Sequence, residues 1–294
     1  MIGHPNPRPL LVSLAAALLL SLAAATLLRL LPWGRSLSSA DLNSPLELLL
    51  QVSGQNASEP QRIAPPPPRP AYWISPLQGL CPALDRSLQR RLLQLQAKIL
   101  QRTTLRRIDP SNYGQRYRLD GFGNPVDPTP KVIVLHETVY GLSSALNTFA
   151  TAHANDADQV SYHSLVGLDG ELVRVVDPDD RAFGAGFSAF NNQWVISNPK
   201  LGGSVNNFAL HLSLETPLDG ENEGAAHSGY TDVQYDTMAL ELSHWMRRYR
   251  ISPEHITTHQ HVDLGGERAD PRSFDWSQLA VRLKALGVIC AQRR

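Results

Sequence analysis

Residues 131–136 read KVIVLH, and this run limits the fold more than any other stretch of the 294-residue chain. A β-branched run of this length suits a buried strand, and a strand buried on both faces needs layers above and below it. A histidine at its exit, His136, then projects towards a cleft instead of the core. Further strand signals follow at 161–166, 172–176 and 208–214, and residues 142–153 carry helical periodicity. Thr231 and Gln234 form a capping-box pair opening a helix with Val233, Met238, Leu242, Trp245 and Met246 on its apolar face. That helix should end near Arg250, ahead of Pro253. The expected fold class is mixed α/β, a central mostly β-sheet flanked by helices, with no Gly-rich phosphate loop and no internal repeat.

The first seventy or so residues read differently. Residues 10–28 form an uncharged apolar run between Arg8 and Arg29, about 28 Å long as a helix and near the thickness of a bilayer core. Two readings stay open for residues 1–35: an uncleaved membrane anchor, favoured because leucines continue through Leu30 and Leu31, or a signal segment cut near Ala23, Ala24 and Ala25. Residues 36–72 are rich in Pro and Ser and include Pro65, Pro66, Pro67 and Pro68, the composition of an extended spacer. Residues 73–130 then form an N-terminal extension with an amphipathic helix at 84–101, and 131–294 is the main domain. Cys81 and Cys290 stand near the two ends of the globular part. They either close one loop in an oxidising compartment, worth about 4 to 5 kcal/mol, or remain two small buried hydrophobes.

Lys plus Arg equals Asp plus Glu at 27 each, so no net basic charge favours nucleic acid as a partner. Ten histidines against two cysteines point a metal question towards imidazole and carboxylate, and so to an open catalytic site instead of a closed thiolate one. His136 supplies one donor. His259 ends the short run Ile256, Thr257, Thr258, and Asp270 follows after a Gly-rich loop. Two imidazoles and a carboxylate make a three-ligand zinc site with one position left for water. His261 is an alternative to His259 if the register differs. Glu137, next to His136 on a strand, should face away from the metal and be structural. His163 fits packing behind the metal ligands or in the core better than substrate binding, and His153, His211, His227, His244 and His255 carry no spacing argument.

At these residues the chain resembles the N-acetylmuramoyl-L-alanine amidase type 2 family, zinc amidases related to peptidoglycan recognition proteins. The resemblance runs from about Lys131 to Trp276. The family's apolar strand ending in His matches VIVLH at His136. Its SYH strand and following Asp-Gly turn match Ser161, Tyr162 and His163 with Asp169 and Gly170. Its AWHAG segment matches Ala182, Phe183, Gly184, Ala185 and Gly186 loosely. Its YT helix matches Tyr230, Thr231, Gln234, Ala239, Leu240 and Leu242. Its closing pattern matches Ile256, His259, Arg268, Asp270, Pro271, Phe274, Asp275 and Trp276.

The resemblance implies zinc held by His136, His259 and Asp270, and hydrolysis of the amide joining N-acetylmuramic acid to L-alanine of the stem peptide. Arg268 stands where the family usually has Lys, and its charge can neutralise a developing oxyanion. The base stays open between Tyr162, which matches a tyrosine beside the metal, and Glu215. Some members carry Glu where this chain has Ser213, and Glu215 lies about 7 Å further along the same face. Two other functions remain: a muropeptide-binding module without turnover, and a zinc peptidase cutting between stem residues. The expected partner is peptidoglycan or a muropeptide, with membrane contact through the N-terminal segment only. The expected form is a monomer on the periplasmic side of the inner membrane.

Overall fold

The computed structural model describes residues 62–222 and 224–290. The apolar run at 10–28 and most of the Pro/Ser-rich stretch lie outside the described residues. Among the described residues, no helix is long and apolar enough to cross a membrane. In chain order the helices are α1 (Arg86–Lys98), α2 (Leu142–Ala150), α3 (Asp232–Tyr249), α4 (His259–Val262) and α5 (Trp276–Ala285). The strands are β1 (Thr103–Leu105), β2 (Tyr113–Gln115), β3 (Val132–Glu137), β4 (Ser164–Val166), β5 (Leu172–Arg174), β6 (Asp180–Ala182), β7 (Ala209–Leu214) and β8 (Ile256–Thr258).

Six strands form one sheet in the order β1-β5-β4-β7-β3-β8, and β2 pairs with β6 separately. Only the β4–β5 pair is antiparallel in the larger sheet. The two longest strands, β3 and β7, lie side by side at its centre, and every residue in both is buried. Alternation decides what each face does. Ile133, Leu135, Leu210 and Leu212 pack against Met238, Leu242 and Trp245 of α3 and Leu279 and Leu283 of α5. Val132, Val134 and Ala209 pack on the other face with Ala185, Phe190, Val205, Phe208 and Val262. His136 continues the second face; Glu137 continues the first.

The helix ends follow their local chemistry. Thr231 and Gln234 form the reciprocal capping box of α3, and Arg250 closes that helix in the left-handed region at φ 58°. Asp85 caps α1 by accepting from the N–H groups of Ser87 and Leu88. The segment before β3 contributes more than a helix, because its β1 pairs in parallel with β5 and extends the sheet. Cys81 and Cys290 are joined in a disulfide with their Cα atoms 5.7 Å apart.

The end of the Pro-rich stretch is a strap laid against the fold, which differs from the free spacer that composition suggests. Trp194 Nε1 donates to Pro65 O at 2.9 Å, Asn192 N to Pro70 O at 2.5 Å and Asn191 N to Ala71 O at 3.2 Å. Trp73 Nε1 donates to Ile256 O at 3.0 Å. An extended proline chain leaves its carbonyls unpaired, so it can dock through them wherever fixed donors face it.

Candidate metal centre

The site lies where the parallel strands β3 and β8 end together. Their register pairs Val134 with Thr257 and Leu135 with Thr258, so the next residues, His136 and His259, emerge side by side. Carboxyl ends of parallel strands are where open α/β sheets hold their ligands. Thr258 caps the short α4 by accepting from His261 N at 3.2 Å. The loop after α4 is wound around Asp263, whose carboxylate accepts from the N–H groups of Gly265, Glu267 and Arg268. Asp270 O then accepts from Gln260 N at 3.0 Å, which returns the Asp270 carboxylate to the two imidazoles.

Donor atoms of His136, His259 and Asp270 lie within 4.8 Å of one another, and all three residues are buried. His136 Nδ1 is 3.3 Å from Asp270 Oδ2 and has no hydrogen-bond partner. His259 Nδ1 is 3.0 Å from Asp270 Oδ1. In a tetrahedral site with metal–ligand bonds of about 2.0–2.1 Å, neighbouring donors stand roughly 3.3 Å apart. The spacing and the orphaned Nδ1 therefore fit a divalent ion of zinc size.

The protonation states agree. Burial lowers the pKa of His136 to about 4, against the opposing pull of Asp270. Burial alone would raise the Asp270 carboxyl, but the imidazoles of His136 and His259 beside it hold it well below the usual carboxylate range. Near neutral pH the first imidazole is uncharged and the carboxylate ionised, as metal ligation requires.

Tyr162 stacks on the His136 ring at 4.4 Å between centroids, with Phe149 edge-on behind it at 5.5 Å. Burial pushes its phenol well above the ordinary tyrosine range, so the hydroxyl keeps its proton. Arg268 is exposed, and its positive charge disfavours protonation of His136.

Glu215 stands elsewhere. Its Oε1 accepts from Leu142 N at 2.7 Å and its Oε2 from Leu168 N at 2.8 Å, so both carboxylate oxygens tie loops together instead of facing the cluster. The carboxylate of Glu215 is thus held between the segments of Leu142 and Leu168. Ser213 lies directly beside His136 in the β3–β7 register, and its buried Oγ has no partner. His261 is turned away: its Nε2 donates to Ala71 O at 3.1 Å and its ring packs on Trp73 at 4.5 Å.

One neighbour has no sequence signal of its own. His211 Nδ1 lies 3.0 Å from His136 Nε2, fully buried. Only the period-2 alternation linking His211 to Ser213 hints at it.

The family model for N-acetylmuramoyl-L-alanine amidase matches residues 126–273, half of the chain. The chain belongs to this family. It is 31% identical over 122 residues to the 1,6-anhydro-N-acetylmuramyl-L-alanine amidase AmpD of Citrobacter freundii, covering 41% of this chain and 55% of that protein. It is 26% identical over 180 residues to the AmpD of Haemophilus influenzae, covering 60% of this chain and 78% of that one. The chain thus spans about half the length of the first of these relatives. A crystal structure of a selenomethionine AmpD derivative aligns at 24% identity with a TM-score of 0.43, covering 60% of this chain and 92% of that one.

Proposed function

We propose that this protein is a zinc-dependent amidase that hydrolyses the bond between N-acetylmuramic acid and the L-alanine of peptidoglycan stem peptides. The observation that carries this reading is the convergence of His136, His259 and Asp270 at the strand ends, inside the segment matched by the family model. His136 Nδ1, His259 Nδ1 and the Asp270 carboxylate would hold the zinc. When bound, it supplies Lewis acidity towards a carbonyl and lowers the pKa of water.

The chain's own groups do the rest. Asp270, ionised, would balance part of the metal charge beside both imidazoles. Tyr162, protonated, can donate to a tetrahedral oxygen. Arg268 brings a fixed positive charge to the rim, where an oxyanion develops. The curated relatives are named for anhydro-muropeptide substrates, so both anhydro-muropeptide and intact sacculi belong in the assay.

A second reading, a muropeptide-binding module without turnover, is favoured by one observation. Ser213 carries no acid beside His136, and Glu215 is committed to backbone N–H groups. Mass spectrometry of digested peptidoglycan separates the two. Release of stem peptides with free L-alanine amino termini, lost in His136→Ala and Asp270→Ala together with about one equivalent of zinc, is the expected result. Bound but uncut fragments with zinc retained would establish the second reading.

The protein is further proposed to work as a monomer on the periplasmic side of the inner membrane, anchored or released by the apolar run at 10–28. The Cys81–Cys290 disulfide supports an oxidising compartment. Fractionation of cells with an antibody to the chain tests this, and a cytosolic pool would overturn it.

A further inference from the structure

We propose that His211 is the positioning residue of this metal centre: its Nδ1 accepts the Nε2–H of His136 and so holds the first ligand with its Nδ1 lone pair aimed at the metal position. The inference rests on the zinc reading above and concerns a residue outside the ligand set. A histidine that ligates through one ring nitrogen donates from the other, and the partner of that second nitrogen fixes tautomer and ring orientation. For His136 the second nitrogen is Nε2, and His211 Nδ1 at 3.0 Å faces it.

The hydrogen bonds behind His211 fix its backbone and the neighbouring His163. The backbone N–H of His211 donates to His163 Nδ1 at 2.9 Å, which makes that atom an acceptor and puts the His163 proton on Nε2, facing Asp180 O at 3.3 Å. Below it, Arg116 Nη2 gives its hydrogens to Pro178 O and Ala209 O, at 3.1 Å and 3.0 Å. The His163 and His211 rings lie nearly parallel, 7° apart. His211 is thus held at its backbone by His163, with its ring beside that of His163 and its Nδ1 facing the metal ligand.

The room for that ring comes from a missing side chain. A Cβ on Gly184 would lie 2.4 Å from both Cγ and Nδ1 of His211, so no other residue fits there with the ring in place. Gly184 occupies the third position of the segment Ala182, Phe183, Gly184, Ala185, Gly186, where the family pattern AWHAG carries His. The imidazole reaching over from β7 fills the space that a side chain at position 184 would take.

The test uses the full-length chain in detergent, stripped of metal, with Zn²⁺ titrated against a chromophoric chelator and Co²⁺ as a spectroscopic probe. The wild type should bind one equivalent. His211→Ala should weaken zinc by about 10- to 100-fold, the ordinary effect of losing such a partner, and should shift the Co²⁺ absorption bands. His211→Asn, whose Oδ1 can accept where Nδ1 does, should recover most of the affinity. Gly184→Ala should weaken zinc in the same way although it touches no ligand. The thermal midpoint of each metal-free variant reports folding, and where His211→Ala does not fold, His211→Asn and Gly184→Ala decide. Wild-type affinity and an unchanged Co²⁺ spectrum in folded His211→Ala or in Gly184→Ala overturn the inference alone, as does a His211→Asn no better than His211→Ala. A wild type that takes up no zinc overturns the metal reading and this inference with it.

Discussion

Glu137 and Arg272 form a buried ion pair on the helix-facing side of β3, one residue beyond the candidate ligand His136. The same carboxylate accepts from Tyr230 Oη at 2.7 Å and faces His227 Nε2 at 3.0 Å. Arg272 donates onward to the carbonyls of Gly220, Asn222 and Gly224. One pair thereby ties the loop between β7 and α3 to the strand that carries the site.

Removing one partner should be costly. Glu137→Gln leaves a guanidinium buried beside a neutral amide, and a loss of about 3–5 kcal/mol is expected in chemical denaturation. The double variant Glu137→Gln with Arg272→Met should be less damaged than the sum of the single ones. Strict additivity would mean that the pair is not coupled.

Tyr162, Arg268 and Glu215 should separate by readout. Tyr162→Phe and Arg268→Ala are expected to lower turnover, Arg268→Ala by about 10²–10³-fold as for loss of one oxyanion partner, both with zinc retained. Glu215→Gln leaves one of two backbone N–H groups facing an amide NH₂, so it should cost about 1–3 kcal/mol of stability with little change in kcat for the folded fraction. Abolished turnover at unchanged stability would instead make Glu215 the base.

Acid should destabilise the metal-free protein well before its carboxylates titrate. Burial lowers the pKa of His136 to about 4 and pushes His163 and His211 well below the usual value. Below about pH 6.5 the unfolded chain binds protons that these folded imidazoles refuse, so stability falls as pH falls. His136 should contribute about 2 kcal/mol of loss between pH 7.5 and 5, and His163 and His211 add loss in the same direction. Thermal melts in a chelator across pH 7.5 to 5 check this; a flat midpoint would show that the imidazoles are not buried neutral.

The strap should contribute to stability. Trp73→Ala removes the bond to Ile256 O and the packing on His261 and Trp276. A loss of roughly 2 kcal/mol is expected for this half-buried aromatic, below the 3–5 kcal/mol of a fully buried one. Melts of the full chain measure it, and an unchanged midpoint would make the strap a passive tether.

Much of the site was legible because its signals are local. His136 ends an unbroken apolar strand, His259 follows three β-branched or apolar residues, and the capping pair at Thr231 marks a helix start. What was hidden depends on pairing between distant segments. His211 acquires its meaning only from the β3–β7 register and from the space left by Gly184. Three-residue strands such as β1, β2 and β6 are too short to display a period. Composition gives the strap as a spacer, since its contacts at Pro65, Pro70 and Ala71 run through backbone carbonyls that every sequence possesses.

The Cys81–Cys290 bridge spans a sequence separation of 209 residues and so turns nearly the whole described fold into a covalent ring. A protease that cuts any single surface loop inside it opens the ring but releases no fragment. The nicked protein would run as two bands only after reduction, and His136, His259 and Asp270 would stay on one molecule. In a compartment rich in proteases, a single cut would then not be enough to separate the parts of the site.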